Sequence, residues 1–392
     1  MKIAFLTSGG NAPCLNSSIG RLLFNFSKTS SDITAIGYLN GFSGLLKGKS
    51  IALPINSNST RIDSLYEFGG SLIGNSRVKL TNITDCLKKG LIKDDEIPLE
   101  VSAKQLIKDK VDILFTIGGD DTNTTAKDLK NFINSNNIDI TVIGIPKTID
   151  NDIFPVRRSL GSYTAAKYGA IFFENIVNEN FMAEKHLIVH EVMGRNSGWL
   201  SAFTAKMYFD KLDQKDFDII NKKRYEIHGI YLPERELNFD KEIERLSNVM
   251  EQTNCLNLFV CEGAFLEEIE KDLGRTGNSV QKDAFGHVRL DSVNAAKWFS
   301  ELISQEIDFD RILIQKSGYF SRSAAPNSDD LDYIFKICDF AFDNALKANS
   351  GVVGEDQRTG QLSCIDFNEI KGDKGLDINS KWFLELIHRI EK

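Results

Sequence analysis

Short apolar runs alternate with longer stretches of helical periodicity along nearly all of this 392-residue chain. The apolar runs read as strands at residues 3–7, 33–38, 113–117, 140–145, 186–190, 227–232, 258–260 and 312–315. Helices are read at residues 17–26, 125–135, 162–178, 240–251, 293–307 and 330–348. Several strands are almost wholly apolar, the pattern of strands covered on both faces. Strand followed by helix, repeated this often, argues for parallel sheets with right-handed crossovers and against a sandwich or a bundle. The fold class expected is α/β: two doubly wound (Rossmann-like) lobes with mainly parallel sheets and a cleft between them. The first crossing is placed near residues 154–159, which no Ser/Gly-rich linker marks.

Charge and composition exclude several function classes. The balance of 47 basic and 55 acidic residues leaves a net charge of −8. So acidic a chain is a poor binder of nucleic acid or of anionic membrane, and neither partner is expected. No apolar run approaches the ~18–20 residues needed to span a bilayer. The first strand runs directly into Gly9–Gly10, which is not a secretory leader. Six cysteines without CxxC or Cys/His ligand spacing read as free thiols in a reducing compartment, so a cytoplasmic location is expected.

Three segments share one design of apolar strand, glycine or proline break, small polar residues and helix. They are TSGGNAPCLN (7–16), IGGDDTNTT (117–125) and GIPKTIDND (144–152). In an open α/β sheet such loops lie at the carboxyl edge, where ligands bind. Glycine permits close backbone approach, and the helix that follows presents unpaired N–H groups, an arrangement that favours phosphate. Two of the loops also carry carboxylates, Asp120 and Asp121 in one, Asp150 and Asp152 in the other. Carboxylates beside a phosphate repel it unless a hard cation bridges them, which implies Mg²⁺. Alternatively, one accepts a proton from an attacking hydroxyl. Both uses together describe phosphoryl transfer; helix capping would account for one or two of the four.

SGLLKGKS (43–50) ends like a phosphate-binding P-loop, but Ser43 stands where the first glycine is required and the following residues are extended. EVMGRNSGW (191–199) again links a strand to a helix and offers Arg195, CEG (261–263) places Glu262 just after a strand, and GYFSRS (318–323) adds Arg322.

Taken together, TSGG-APC-N, GGSLIGNSR (69–77), GGDDTNTTA, PKTIDND, EVMGRNSGW and CEG resemble the phosphofructokinase family, in family order and over most of the chain. The resemblance implies phosphoryl transfer to the 1-hydroxyl of fructose 6-phosphate, with Mg²⁺ as cofactor. It assigns Asp150 as the base, Asp120 to the metal and Asp152 to its support. Thr148 would contact the transferring phosphoryl group or the sugar, Arg77 would neutralise charge on that group, and Gly10 would let the donor approach. Met193, Gly194, Arg195, Glu262, Tyr319 and Arg322 would hold the sugar phosphate. Residues 1–155 would form the donor lobe and residues 156–392 mainly the sugar-phosphate lobe, with part of the C-terminal half returning to the first.

Asp121 and Lys147 bear on the donor. ATP-dependent members resemble GGDG and PGTIDND, whereas GGDD and PKTIDND look like the pyrophosphate-dependent branch. A carboxylate at 121 fills space and adds charge where a nucleotide's inner phosphate would lie, and Lys147 offsets a compact tetra-anion that brings no adenosine. Lys147 could instead merely pair with Asp121. Departures from the family pattern are Asn11 for Asp, Cys14 for Gly, and Tyr319 for a histidine common in ATP-dependent members. His186 stands for an arginine that reaches a neighbouring subunit's sugar phosphate. Arg311 lies about two residues from where a second such arginine aligns, and Leu313 falls at that position. The family implies a homodimer or homotetramer. An ATP-dependent enzyme, a non-catalytic sugar-phosphate sensor and use of sedoheptulose 7-phosphate remain alternatives. His287 reads as structural or surface, His228 and His388 as structural, residues 382–390 as a helix docked on the second lobe, and residues 88–96 as a solvated charged loop.

Overall fold

Strands β1 (Lys2–Thr7), β4 (Ile113–Gly118) and β5 (Thr141–Pro146) are buried at nearly every position, because helices cover the sheet they form on both faces. They belong to a computed structural model that describes residues 1–29, 32–55, 62–275 and 293–392. The chain divides into a first unit, Met1–Thr164 with Arg322–Lys374, and a second, Ala165–Ser321 with Gly375–Lys392. His287 lies outside the described residues.

The first unit carries a seven-stranded sheet of order β11-β10-β5-β4-β1-β2-β3, with β2 at Thr34–Tyr38, β3 at Ser50–Leu53, β10 at Gly351–Asp356 and β11 at Gln361–Ile365. The five inner strands run parallel, and β3 and β11 close the two edges antiparallel. Chain order reverses between β1 and β4, the position where doubly wound sheets open a ligand crevice. Helices α1 (Leu15–Ser27) and α5 (Asp120–Ser135) follow β1 and β4 directly. Phe5 and Phe115 stack at 5.3 Å in the core, and Phe26 meets Phe115 edge-on at 5.9 Å.

Strands β10 and β11 are absent from the sequence reading. The apolar stretch of β10 is only Val352–Val353 between glycines, and β11 is partly exposed at the sheet edge, so neither shows a clear period. Residues 42–50 form no phosphate cradle: α2 (Phe42–Lys47) ends on Gly48 at φ 62° and the chain turns into β3. Helix α3 (Ile83–Lys88) precedes a segment whose charged residues face solvent but whose Leu91 and Ile92 enter the core, which corrects its reading as a purely solvated loop. Helix α4 (Pro98–Lys108) starts on Pro98, where a missing N–H costs nothing, and leads into β4.

Helix α12 (Ser328–Leu346) is tied to the first unit by a buried ion pair. Arg158 Nη2 donates at 2.5 Å to Asp330 Oδ1, Thr164 N–H donates to Asp330 Oδ2 at 2.7 Å, and the Arg158 guanidinium lies 3.7 Å from the Tyr163 ring. Asp330 is fully buried. Asp330→Ala strands that arginine, at a cost of about 3–5 kcal/mol. The expected result is a fall on the order of 10 °C in the first unit's melting transition, read by calorimetry; an unchanged transition would show that the pair is dispensable.

The second unit holds a four-stranded parallel sheet of order β7-β8-β6-β9, formed by Gly229–Tyr231, Cys255–Cys261, His186–Val192 and Arg311–Lys316. The remaining helices of this unit are α6 (Ser162–Ile176, shared with the end of the first), α7 (Trp199–Leu212), α8 (Phe239–Thr253), α9 (Leu266–Arg275), α10 (Ala295–Ile303), α11 (Gly318–Arg322) and α13 (Lys381–Ile390). Phe383, Leu386 and Ile390 of α13 are buried against α7 and β7, as its amphipathic spacing requires. His228 is structural: its Nδ1 accepts Asn257 N–H at 3.0 Å, and burial pushes its pKa down to about 4. His190, buried between Phe173 and Phe259, is pushed down to about 3 in the same way. Among the described residues no helix is long and apolar enough to cross a membrane.

Candidate active site

The register of the first sheet sets Thr7 beside Ile117, and Gly118 beside Pro146. Three loops therefore leave adjacent strands at one edge, as three strand–loop–helix segments predict. Lys147 joins them. It is 3% exposed, its N–H donates to Gly118 O at 2.9 Å, and its Nζ donates to Gly10 O at 2.5 Å. Burial lowers its pKa, an effect offset by Cys14, Asp150 and Asp152 and reinforced by Arg77. The ammonium thus sits in a neighbourhood of the third-loop carboxylates and Arg77, and it does not pair with Asp121.

Asp121 instead forms an ion pair with Lys79 at 2.6 Å, on the exposed rim. Lys79 was not singled out from sequence, because it lies two residues beyond Arg77, the end of the GGSLIGNSR motif. That motif is stapled onto the first loop. Thr7 Oγ1 donates to Gly74 O at 2.8 Å, Ser8 Oγ and Gly9 N–H donate to Ser76 O at 2.8 and 3.0 Å, and Leu72 N–H donates to Asn16 Oδ1 at 2.7 Å. Arg77 is placed by these bonds. The chain just after Arg322 also reaches this region: carbonyls of Ser323 and Ala324 leave no room for a Cβ at Gly69, and Asn11 Nδ2 donates to Ser323 Oγ at 3.4 Å. At Gly10, by contrast, a Cβ would meet nothing within 4 Å, so open space and not packing surrounds that backbone.

Asp120 and Asp121 occupy the first turn of α5, where the positive end of the helix favours anions. Burial, then Asp121 and Asp152, push the Asp120 pKa up. Crowded carboxylates of this kind are relieved by a cation. Asp152 Oδ1 is buried and has no hydrogen-bond partner among the described residues, which leaves a lone pair for such an ion. No group of three or more His, Cys, Asp or Glu at metal-holding spacing occurs among the described residues. Two carboxylates without a full cage suit a hard divalent cation that takes its remaining ligands from water and phosphate.

Asp150 stands on a loop that is knitted internally. Its N–H donates to Thr148 Oγ1 at 3.1 Å, Ser159 Oγ donates to Thr148 O at 2.9 Å, and Ser159 N–H donates to Asn151 Oδ1 at 2.9 Å. Asn151 adopts φ 53°, a left-handed conformation that asparagine tolerates. The loop is held from below by Lys374, whose pKa burial lowers to about 8. Sequence reasoning did not find Lys374, because nothing near it in the chain carries a motif.

In the second unit, Met193, Gly194 and Arg195 follow β6, Glu262 follows β8 and Tyr319 follows β9, three adjacent strands of one sheet. Gly194 and Arg195 N–H groups both donate to Glu262 Oε1 at 3.3 Å. Burial raises the Glu262 pKa, and those two bonds partly restore it. A Cβ at Gly263 would lie 1.6 Å from Arg195 O, and one at Gly318 would strike Met193 Cε at 2.5 Å. These two glycines are what allow the three loops to close on one another. Glu191 receives Lys316 Nζ at 2.6 Å beneath them. Tyr319 is exposed. His186 is buried at the opposite end of β6, paired in register with Arg311, which makes an ion pair with Glu179 at 3.4 Å.

Comparison with known proteins places this chain. The phosphofructokinase family model matches residues 2–330. A pyrophosphate–fructose 6-phosphate 1-phosphotransferase of Methylomonas methanica is 47% identical, over 99% of this chain and 96% of that protein. The enzyme of the same name from Propionibacterium freudenreichii is 46% identical, over 99% and 97%. The crystal structure of a pyrophosphate-dependent phosphofructokinase from Marinobacter aquaeolei superposes with a TM-score of 0.74 at 20% identity, covering 98% of this chain and 91% of that one.

Proposed function

Because the chain belongs to the phosphofructokinase family, we propose that it is a pyrophosphate-dependent 6-phosphofructokinase: it transfers a phosphoryl group from pyrophosphate to the 1-hydroxyl of fructose 6-phosphate, reversibly. The full-length likeness to enzymes named for that reaction supports it. The observation that carries the donor choice is Lys147, a buried ammonium bridging the first and third loops. Its charge balances a compact anion, and the Lys79–Asp121 pair takes up the rim of the second loop.

In this reading the sugar 1-oxygen attacks the terminal phosphorus of pyrophosphate and its proton passes to Asp150. The bond from phosphorus to the bridging oxygen breaks, and inorganic phosphate leaves. Lys147 and Arg77 neutralise charge on the transferring group, Thr148 orients it, and Gly10 and Asp121 border the donor. Enzymes of this family generally need a divalent metal. Here Asp120, supported by Asp152, would hold Mg²⁺, which supplies charge neutralisation on the phosphates. Met193, Gly194, Arg195, Glu262, Tyr319 and Arg322 recognise the sugar phosphate. A cytoplasmic homodimer or homotetramer fits the reading, with His186 and Arg311 as candidates at a subunit contact.

The test is fructose 1,6-bisphosphate formation with pyrophosphate and ATP side by side. Pyrophosphate is expected to be preferred by a factor on the order of 100 in kcat/KM. Preference for ATP overturns the donor assignment. Silence with both donors, with fructose 6-phosphate still bound, favours the non-catalytic sensor.

A further inference from the structure

The family match ends at residue 330, yet the first unit extends to Lys374. Its last residues return to the catalytic loop. Phe154 and Lys371 exchange backbone hydrogen bonds at 2.8 and 3.0 Å, an antiparallel bridge, and Lys374 N–H donates to Asp152 O at 3.0 Å. The Lys374 ammonium then donates to Val156 O at 2.6 Å, Arg157 O at 3.2 Å and Asn151 Oδ1 at 3.3 Å. All three of its donors are used, and all three acceptors belong to the loop that carries Asp150 and Asp152. Two residues earlier, a Cβ at Gly372 would lie 2.6 Å from Asp120 Oδ2, so the backbone there runs directly against that carboxylate. Phe367 and Ile370 anchor the approach in the core.

We propose that residues 371–374 are a positioning clasp of the phosphoryl-transfer site, in which Lys374 fixes the Asp150–Asp152 loop and Gly372 sets the placement of Asp120. The inference rests on the reading given above. Neither residue touches the reacting atoms: Lys374 acts through the backbone and Asn151 of the loop that carries Asp150, and Gly372 acts through the Asp120 carboxylate. A structural staple alone would lower stability and all affinities together. A positioning clasp affects the metal–pyrophosphate side and spares the sugar phosphate.

The experiment uses the full chain with Lys374→Met, Lys374→Arg and Gly372→Ala. Magnesium pyrophosphate and fructose 6-phosphate are titrated separately by calorimetry, and kcat is measured alongside. Lys374→Met is expected to lower kcat about 100-fold and weaken magnesium pyrophosphate binding about tenfold. Fructose 6-phosphate affinity is expected to stay within about threefold. Lys374→Arg, which keeps the charge and N–H donors, recovers most of the loss. Gly372→Ala removes no hydrogen bond, so it carries the test if Lys374→Met does not fold, and the same one-sided loss is expected of it. Parent-like pyrophosphate affinity and kcat in folded Lys374→Met or Gly372→Ala, or an equal loss of both ligands, overturns the clasp. If the parent turns over only ATP, the donor reading has failed; the same comparison with magnesium ATP then decides the clasp, because the Lys374 ammonium holds the Asp150–Asp152 loop whichever donor is bound.

Discussion

Asp150→Asn lowers kcat by about 10²–10⁴-fold while the KM for fructose 6-phosphate changes little. Asparagine keeps the size of the side chain but cannot take the proton of the sugar hydroxyl. The loop around it should not move, because its bonds run through Thr148, Asn151 and Ser159 and not through the Asp150 carboxylate alone. A catalyst leaves the equilibrium where it was, so kcat/KM for the reverse reaction, from phosphate and fructose 1,6-bisphosphate, falls by the same factor. Steady-state kinetics in both directions check this. Turnover close to the parent's would remove Asp150 as the base.

The second large effect is on the donor. Lys147→Met is expected to lower kcat/KM for pyrophosphate by about 10²–10³-fold, the loss typical of removing one preorganised donor to a developing charge. Methionine fills a similar volume and avoids burying a charge, so the melting temperature should hold or rise slightly. Kinetic loss with stability retained separates a charge role from a packing role. The double change Asp121→Gly with Lys147→Gly removes both features that distinguish these loops from the ATP-type form, and it is expected to raise the ratio of ATP to pyrophosphate use. If the ratio is unmoved, donor choice resides elsewhere in the chain.

How much of this was legible beforehand depends on how local each signal is. Asp120 and Asp150 could be singled out because each stands in a loop that follows an apolar strand, Asp120 directly after Gly119 and Asp150 four residues after Pro146, whereas Lys147 was marked by the family resemblance. The same local pattern led to Arg195 and Glu262 in the second unit, and the family resemblance added Met193 and Gly194. The pairing of Asp121 was not legible: Lys79 and Lys147 are both plausible partners on charge, and the distances decide for Lys79. The buried pair of Arg158 and Asp330 was missed for a similar reason, since 172 residues separate its members.

The strand–helix alternation of this chain is written in its side-chain periodicity, and the glycine breaks and acidic helix starts are written beside it. Those features suffice for the α/β class, the parallel sheets and the loops that carry the chemistry, because they act over a few adjacent residues. Which carboxylates crowd one another, which ammonium is buried and what holds the Asp150 loop are set by contacts between distant parts of the chain. Lys374 and Asn151 are 223 residues apart. No composition or period around residue 374 marks it, and it acquires its role only when β10 and β11 return the chain to the sheet edge beside β5.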